Sequence, residues 1–159
     1  MRLTYALMIV ATLFSFGCSS QIDNTQLVNR EASLPSSFQF EAKGLNKVIS
    51  SSINRKKATM STLYGNDQAF QYAHTHADSS YPNGAVLALV TWKQQEDPRW
   101  FGANIPGELQ SIELVKINGT NTTYEQFTGT ALTPAANSDT ALITKRTRYI
   151  LDEKPAVTP

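Results

Sequence analysis

Residues 59–101, TMSTLYGNDQAFQYAHTHADSSYPNGAVLALVTWKQQEDPRWF, determine the predicted fold. The segment 58–64 is short and rich in threonine and apolar residues, which predicts a strand. This strand stops at Gly65, a residue that tolerates positive φ. Asn66 or Asp67 can then cap a helix, because a short polar side chain accepts hydrogen bonds from the first helical turn. The pattern predicts a strand that leads directly into a one-sided surface helix.

The second half of this stretch predicts a turn and a buried strand. Tyr81-Pro82-Asn83-Gly84 is a turn sequence, since proline fixes φ and Asn-Gly supplies left-handed positions. Residues 85–92, AVLALVTW, then form the most apolar run after the first 17 residues. Their length and β-rich composition predict the central strand of the sheet.

The motifs TLYGND, YPNGAVLALVTW and DPRWFG together resemble the cytochrome P-460 family of bacterial periplasmic proteins. The resemblance extends from about Lys47 to Val115, with a weaker echo in the last predicted helix. It implies the fold of that family. In its founding members, a c-type haem is attached through Cys-x-x-Cys-His near the C-terminus, a lysine in the strand equivalent to 85–92 cross-links to the porphyrin, and hydroxylamine is oxidised.

This sequence departs from the family pattern at the haem-binding positions. Cys18 is the only cysteine, so a Cys-x-x-Cys-His attachment site is impossible. Alignment on Trp92 places Leu89 where the cross-linking lysine is expected. Neither histidine lies near the C-terminus, where the resemblance implies the proximal ligand. The resemblance therefore implies the fold more strongly than the chemistry.

The N-terminus predicts export and lipidation. Residues 1–17 carry Arg2 followed by an apolar run, which is typical of a signal peptide. Ser15-Phe16-Gly17-Cys18 resembles a bacterial lipobox, with serine at Ser15 where leucine is usual. We expect cleavage before Cys18 and acylation of that residue, which would anchor the chain in a membrane. Ser19 favours the outer membrane. The alternative is an ordinary secretory signal with a chance cysteine.

Length and charge limit the remaining possibilities. The 159 residues suit one domain, with 18–40 predicted as the lipidated residue and a flexible tether and 41–159 as the folded part. Without residues 1–17, basic and acidic residues are equal in number, so a nucleic-acid partner is not expected. A single lipidated cysteine leaves no thiol for catalysis or a zinc-thiolate site.

The rest of the chain predicts further strands, loops and a closing helix. Strands are expected at residues 43–53, 111–117 and 124–127, with the second of these pairing with 85–92. Charged or turn sequences predict loops at 93–99, 105–107 and 128–137. A helix over residues 140–151 is expected to begin at a cap formed by Ser138 or Asp139. Its Leu142, Ile143, Tyr149 and Ile150 can pack on the sheet.

Two basic clusters receive simple interpretations. Arg55-Lys56-Lys57 lies in the predicted turn between the first two strands, where exposure to solvent is the favoured interpretation and contact with lipid headgroups the alternative. Lys145, Arg146 and Arg148 are expected to complement the dipole of the closing helix.

The candidate functional residues are few. His74 and His76 are the only histidines, so they are the candidate axial ligands if haem binds without thioether bonds, although exposure at the end of the helix is the favoured interpretation. Trp92, Trp100 and Phe101 either line an apolar ligand cavity or, as we favour, pack in the core and anchor a loop. No phosphate-binding loop, serine elbow or metal-ligand spacing is present, so no enzyme site is predicted.

The sequence predicts an α+β domain with an antiparallel sheet of about five strands packed by two helices. The favoured function is that of an envelope-anchored, non-enzymatic relative of the cytochrome P-460 family. It would lack covalent haem and bind a small apolar ligand or a protein partner. The alternatives are a haem protein that acts on hydroxylamine or nitrogen oxides and a purely structural envelope protein.

Overall fold

The computed structural model describes residues 28–136 and 139–155. The signal peptide, Cys18 and residues 19–27 of the predicted tether lie outside this range, as does Ser138. Within these residues, a single antiparallel sheet of six strands follows chain order, each strand pairing with the next, and two α-helices accompany it. The elements are β1 (Lys47–Asn54), β2 (Thr59–Gly65), α1 (Asp67–Thr75), β3 (Val86–Glu96), β4 (Asn104–Asn118), β5 (Asn121–Thr128), β6 (Thr133–Pro134) and α2 (Thr140–Asp152). The α+β prediction is confirmed, with the two-residue β6 as the extra strand.

Strand β3 is buried on both faces, as its continuous apolar sequence predicts. Leu87 and Leu89 face the helices and join a core that includes Leu63 of β2 and Ile150 of α2. The opposite face carries Ala88, Val90 and Trp92, which belong to a second core cluster. The run predicted as the centre of the sheet therefore separates two apolar layers.

The second layer is covered by a segment that the sequence assigned to the tether. Phe38 lies in a short 3-10 turn, Ser36–Phe38, and is almost fully buried against β3 and β4. Further upstream, the Trp92 indole Nε1 donates to the carbonyl of Ala32 at 3.0 Å. The predicted domain boundary at 40/41 is therefore too late for the described residues, because apolar side chains from 32 onward cover the outer face of the sheet.

Gly65 has a different role from the one predicted. It is the last residue of β2 and is not among the residues with positive φ. A Cβ atom at this position would lie 2.7 Å from Ile49 Cδ1 and 3.0 Å from Ala69 Cβ. Gly65 is therefore required so that α1 can pack closely on the sheet. Asn66 then caps α1, as predicted, by accepting from the Ala69 amide at 3.0 Å.

Strands β3 and β4 form a longer hairpin than the sequence predicts. Residues 93–96 and 105–107, expected in loops, belong to these strands, and only 97–103 connect them. The register shifts near Trp92, where the pairing of β3 with β4 is irregular. Such bulges let a strand continue through Pro106 and Gly107, which ordinarily interrupt regular pairing.

The closing helix α2 begins after Asp139, whose carboxylate accepts from the amides of Ala141 and Leu142. Of its four predicted packing residues, only Ile150 is fully buried, while Leu142 and Tyr149 are 44% and 45% exposed. No helix within residues 28–136 and 139–155 is long and apolar enough to cross a bilayer.

Candidate binding cleft

The sheet face beneath α2 changes from apolar to polar along the strands. Leu63 of β2 is paired with Leu89 of β3, and the next residues on the same face are Ser61 and Thr91. Their hydroxyl groups are hydrogen-bonded at 2.9 Å. On β4, the same face carries Glu113 beside Leu89 in the register. One half of this face therefore supports the apolar core, and the other presents hydroxyl, amide and carboxylate groups.

An open cleft of about 360 Å³ lies over this polar half. Leu89 lies at the boundary with the apolar core, while Arg146 and Tyr149 contribute from α2 and Lys57 from the β1–β2 turn. Its lining residues are Asn54, Lys57, Thr59, Ser61, Leu89, Thr91, Gln110, Ser111, Glu113, Gln126, Leu142, Arg146 and Tyr149. Most of these side chains offer hydrogen bonds, so the cleft suits a polar occupant.

An ion pair with a buried carboxylate joins α2 to the sheet within this cleft. Glu113 is only 3% exposed, and Arg146 approaches both of its carboxylate oxygens. Arg146 Nε donates to Oε1 at 2.8 Å, and Nη2 donates to Oε2. Tyr124 also donates its hydroxyl hydrogen to Oε1. The guanidinium therefore compensates a carboxylate that would otherwise be costly to bury.

Two tyrosines near the ion pair are held in the neutral form. Burial, reinforced by the hydrogen bond to Glu113, raises the pKa of Tyr124 well above its ordinary value. Burial also raises the pKa of Tyr149, whose ring lies 4.8 Å from Arg146 Cζ. The hydrogen bond with Glu113 raises the pKa of Arg146. Both tyrosines and Arg146 therefore keep their protons at neutral pH and can act as hydrogen-bond donors beside the cleft.

The two candidate histidines lie elsewhere, at the end of α1. Both are exposed, and neither lines the cleft. The His74 ring packs on Phe70 at 4.2 Å between centroids, and its Nδ1 lies 2.9 Å from the Phe70 carbonyl. The His76 ring stacks on Tyr72 at 4.1 Å. Neither histidine therefore contributes to the cleft over Leu89.

The three candidate aromatic residues do not form a common cavity. Trp92 packs in the outer core, whereas Trp100 and Phe101 are 71% and 110% exposed in the β3–β4 loop. The favoured core interpretation is confirmed for Trp92, while the predicted loop anchoring is wrong for the other two.

Sequence reasoning missed the Glu113–Arg146 pair. The sequence explains Arg146 by the helix dipole, and Glu113 lies in the strand predicted at residues 111–117 with no role of its own. The two residues are 33 positions apart, so no local pattern joins them. The sequence holds one signal, a glutamate between apolar residues in a strand predicted to pair with the central strand, where a buried carboxylate requires a partner. No cluster of His, Cys, Asp and Glu suited to a metal ion occurs within the described ranges.

A protein-family model described as Cytochrome P460 matches residues 43–141, which is more than half of the chain. No curated protein matches the chain. The matched segment includes β1 to β6, and with them Leu89 and Glu113 of the cleft.

Proposed function

This chain belongs to the cytochrome P460 family, and from that premise we propose that it is a lipid-anchored envelope protein with a non-enzymatic binding domain. The domain would face the periplasm, tethered through Cys18 to the outer membrane, and would function without covalent haem. The observation that carries this proposal is the chemistry of the sheet face at Leu89, where polar side chains and a neutralised ion pair surround an open cleft.

The residues present do not fit the haem of the founding family members. A single cysteine cannot form two thioether bonds, and Leu89 provides no amine for a cross-link. The cleft lining contains no histidine, cysteine or methionine, the usual axial ligands along with tyrosinate. Tyr149 lines the cleft, but its raised pKa disfavours the tyrosinate that iron requires.

The lining favours a small polar ligand over the apolar one expected from the sequence. Thr59, Ser61, Thr91 and Ser111 provide hydroxyl groups, and Gln110 and Gln126 provide amides. These groups can donate as well as accept, and Lys57 adds a positive charge at the margin. A ligand with several oxygen or nitrogen acceptors can accept hydrogen bonds from these groups, whereas a hydrocarbon would gain none. The cleft also favours a binding domain over a purely structural envelope protein.

Haem titration of residues 18–159 tests this proposal directly. We expect no stoichiometric Soret band and an unchanged melting temperature in excess haem. A stoichiometric band that is lost in His74→Ala or His76→Ala would overturn the proposal and identify a haem protein. Tyr149→Phe is the matched variant within the cleft. If a Soret band were lost in this variant and retained in both histidine variants, Tyr149 of α2 would be the axial ligand of the haem iron.

Anchoring has its own experiment. When the full chain is expressed in a Gram-negative host, we expect it in the outer-membrane fraction, with the mass of an acylated N-terminal Cys18. Cys18→Ser should release it from that fraction. An unmodified Cys18, or a Cys18→Ser variant that fractionates like the original protein, would refute anchoring without affecting the argument about the cleft.

A further inference from the structure

Two large aromatic side chains project from the end of the β3–β4 hairpin. Trp100 is 71% exposed and Phe101 is 110% exposed, and they are adjacent in the loop 97–103. The loop is closed by a hydrogen bond from the Asp97 amide to the Ala103 carbonyl at 2.9 Å and by one from the Ala103 amide to Trp100 at 3.0 Å. These bonds restrain the backbone of the turn, and both aromatic side chains remain exposed at its tip as a small apolar patch.

The described chain begins at the same end of the sheet. Asn29 Nδ2 donates to the Pro106 carbonyl at 2.5 Å, and Pro106 lies only two residues from the start of β4 at Asn104. With about 3.4 Å per residue, Asn29 is thus roughly 7 Å from the base of the aromatic loop. The far end of β4, Asn118, lies twelve residues from Pro106, or about 40 Å away.

The position of the predicted anchor then orients the domain. Cys18 precedes Asn29 by eleven residues, which span at most about 40 Å when fully extended. To bring the far end of β4 to the membrane, this segment would have to use nearly its whole reach, at a large loss of chain entropy. The aromatic loop, in contrast, can reach the membrane without requiring the segment between Cys18 and Asn29 to extend fully. An anchor at Cys18 therefore favours the orientation in which Trp100 and Phe101 face the lipid.

A basic turn lies at this end as well. Thr59 is paired with Lys93, and the Gln94 amide donates to the Ala58 carbonyl, so the β1–β2 turn lies beside the β3–β4 hairpin. Arg55, Lys56 and Lys57 of this turn are exposed. None of the three forms an ion pair among residues 28–136 and 139–155.

Acidic groups at this end only partly offset the basic turn. Glu108 is paired with Lys93 at 2.7 Å, and Asp97 accepts from the Arg99 amide within the loop. Glu31 and Glu96 are the other acidic residues of the segments 28–35, 53–59 and 93–108. The segments 28–35, 53–59 and 93–108 together hold six basic and four acidic residues, which leaves an excess of positive charge. Such a surface complements anionic lipid headgroups.

We infer that the β3–β4 loop inserts Trp100 and Phe101 into the interface of the anchoring membrane while Arg55, Lys56 and Lys57 contact its headgroups. Tryptophan is enriched at that depth because its ring is apolar and its N–H remains hydrated. The lipid chains would hold the protein, and the loop would fix how the domain stands on the surface. This inference rests on the anchoring part of the proposed function.

The test uses the single cysteine. Protein of residues 18–159 is coupled through Cys18 to a maleimide lipid in phosphatidylcholine vesicles, with or without phosphatidylglycerol, and with or without brominated acyl chains. Chemical coupling makes the outcome independent of acylation in the cell, so failure here is distinguishable from failure of the lipidation experiment. We expect the emission of Trp100 to shift to the blue and to be quenched by brominated lipid, and Trp100→Phe to remove that signal and leave the buried Trp92.

Matched variants separate insertion from mere proximity. Phe101→Asp should abolish the shift and the quenching, whereas Val48→Ser, an exposed apolar position at the opposite end of the sheet, should change neither. For protein with a blocked Cys18, we expect the affinity for phosphatidylglycerol vesicles to fall about fivefold for each of Arg55, Lys56 and Lys57 replaced by glutamine. Lys145→Gln on α2 is the control for total charge and should have a smaller effect.

Three results would overturn the inference. The first is an emission of Trp100 that is the same on coupled vesicles as in solution. The second is quenching that persists in Phe101→Asp, which would mean that the loop lies near the lipid without inserting. The third is a blue shift that depends on protein concentration in the absence of vesicles, which would assign the aromatic loop to contact between two copies of this chain.

Discussion

Replacing Arg146 by methionine tests whether the Glu113 ion pair holds α2 on the sheet. Methionine retains much of the aliphatic volume but removes the guanidinium, so the nearly fully buried Glu113 carboxylate keeps only the hydrogen bond from Tyr124. Breaking a fully buried pair in this way typically costs about 3–5 kcal/mol. Arg146 is 34% exposed, so water can partly replace it. We therefore expect the free energy of unfolding to fall by about 2–3 kcal/mol.

The assay is urea unfolding of four proteins: the original, Arg146→Met, Glu113→Gln and the double variant. In the Glu113→Gln background, removal of the guanidinium no longer leaves a buried charge without a partner. Arg146→Met should therefore lower the free energy of unfolding by only about 1 kcal/mol there. The coupling energy should then be about 1–2 kcal/mol. For a domain of this size, the loss in Arg146→Met corresponds to a melting temperature lower by roughly 10 °C.

Arg148→Met is the matched control. Arg148 forms an ion pair as well, at 3.4 Å, but its partner Asp152 lies in the same helix. The Arg148 side chain is 83% exposed. Exposed ion pairs within a helix contribute little, so this variant should be nearly as stable as the original. If Arg146→Met were no more destabilising than Arg148→Met, or if the two changes at 113 and 146 were additive, the ion pair would not hold the helix as described.

Three further changes test the fold around the cleft. Asn66→Ala should lower the free energy of unfolding by about 2 kcal/mol in chemical denaturation, because this side chain caps α1 and also donates to the loop before β3; a loss no larger than a few tenths would refute the bridging role. Trp92→Phe removes the hydrogen bond to Ala32 and should speed tryptic cleavage after Arg30 while leaving the sheet folded, whereas an unchanged cleavage rate would contradict this contact. Tyr72→Phe removes the hydrogen bond that most lowers the pKa of Asp78, so the pKa of Asp78, followed by NMR, should be higher in the variant. Because that pKa is depressed in the folded state, the associated stability is lost as pH falls through it, and this acid-side loss should shrink in the variant.

The sequence by itself determined the elements whose signals are local. The apolar run at residues 85–92 predicts a strand buried on both faces because no polar side chain interrupts it until Thr91. Asn66 and Asp139 predict helix starts because a cap is a contact between a side chain and the next helical turn. The family resemblance rested on the same stretch, and the family match over residues 43–141 includes it.

Contacts between distant parts of the chain were decided only in the tertiary structure. Residues 28–40 belong to the segment predicted as a tether. Phe38 nevertheless packs against strands about fifty residues later, because this contact buries the apolar outer face of β3. Gly65 was explained by its freedom of φ, whereas the approach of Ala69 is what excludes a side chain there. Arg146 lines the cleft because the packing of α2 brings its guanidinium to Glu113 of β4. In each case the deciding energy is burial against a surface that does not exist until the sheet forms, so no local pattern could encode it.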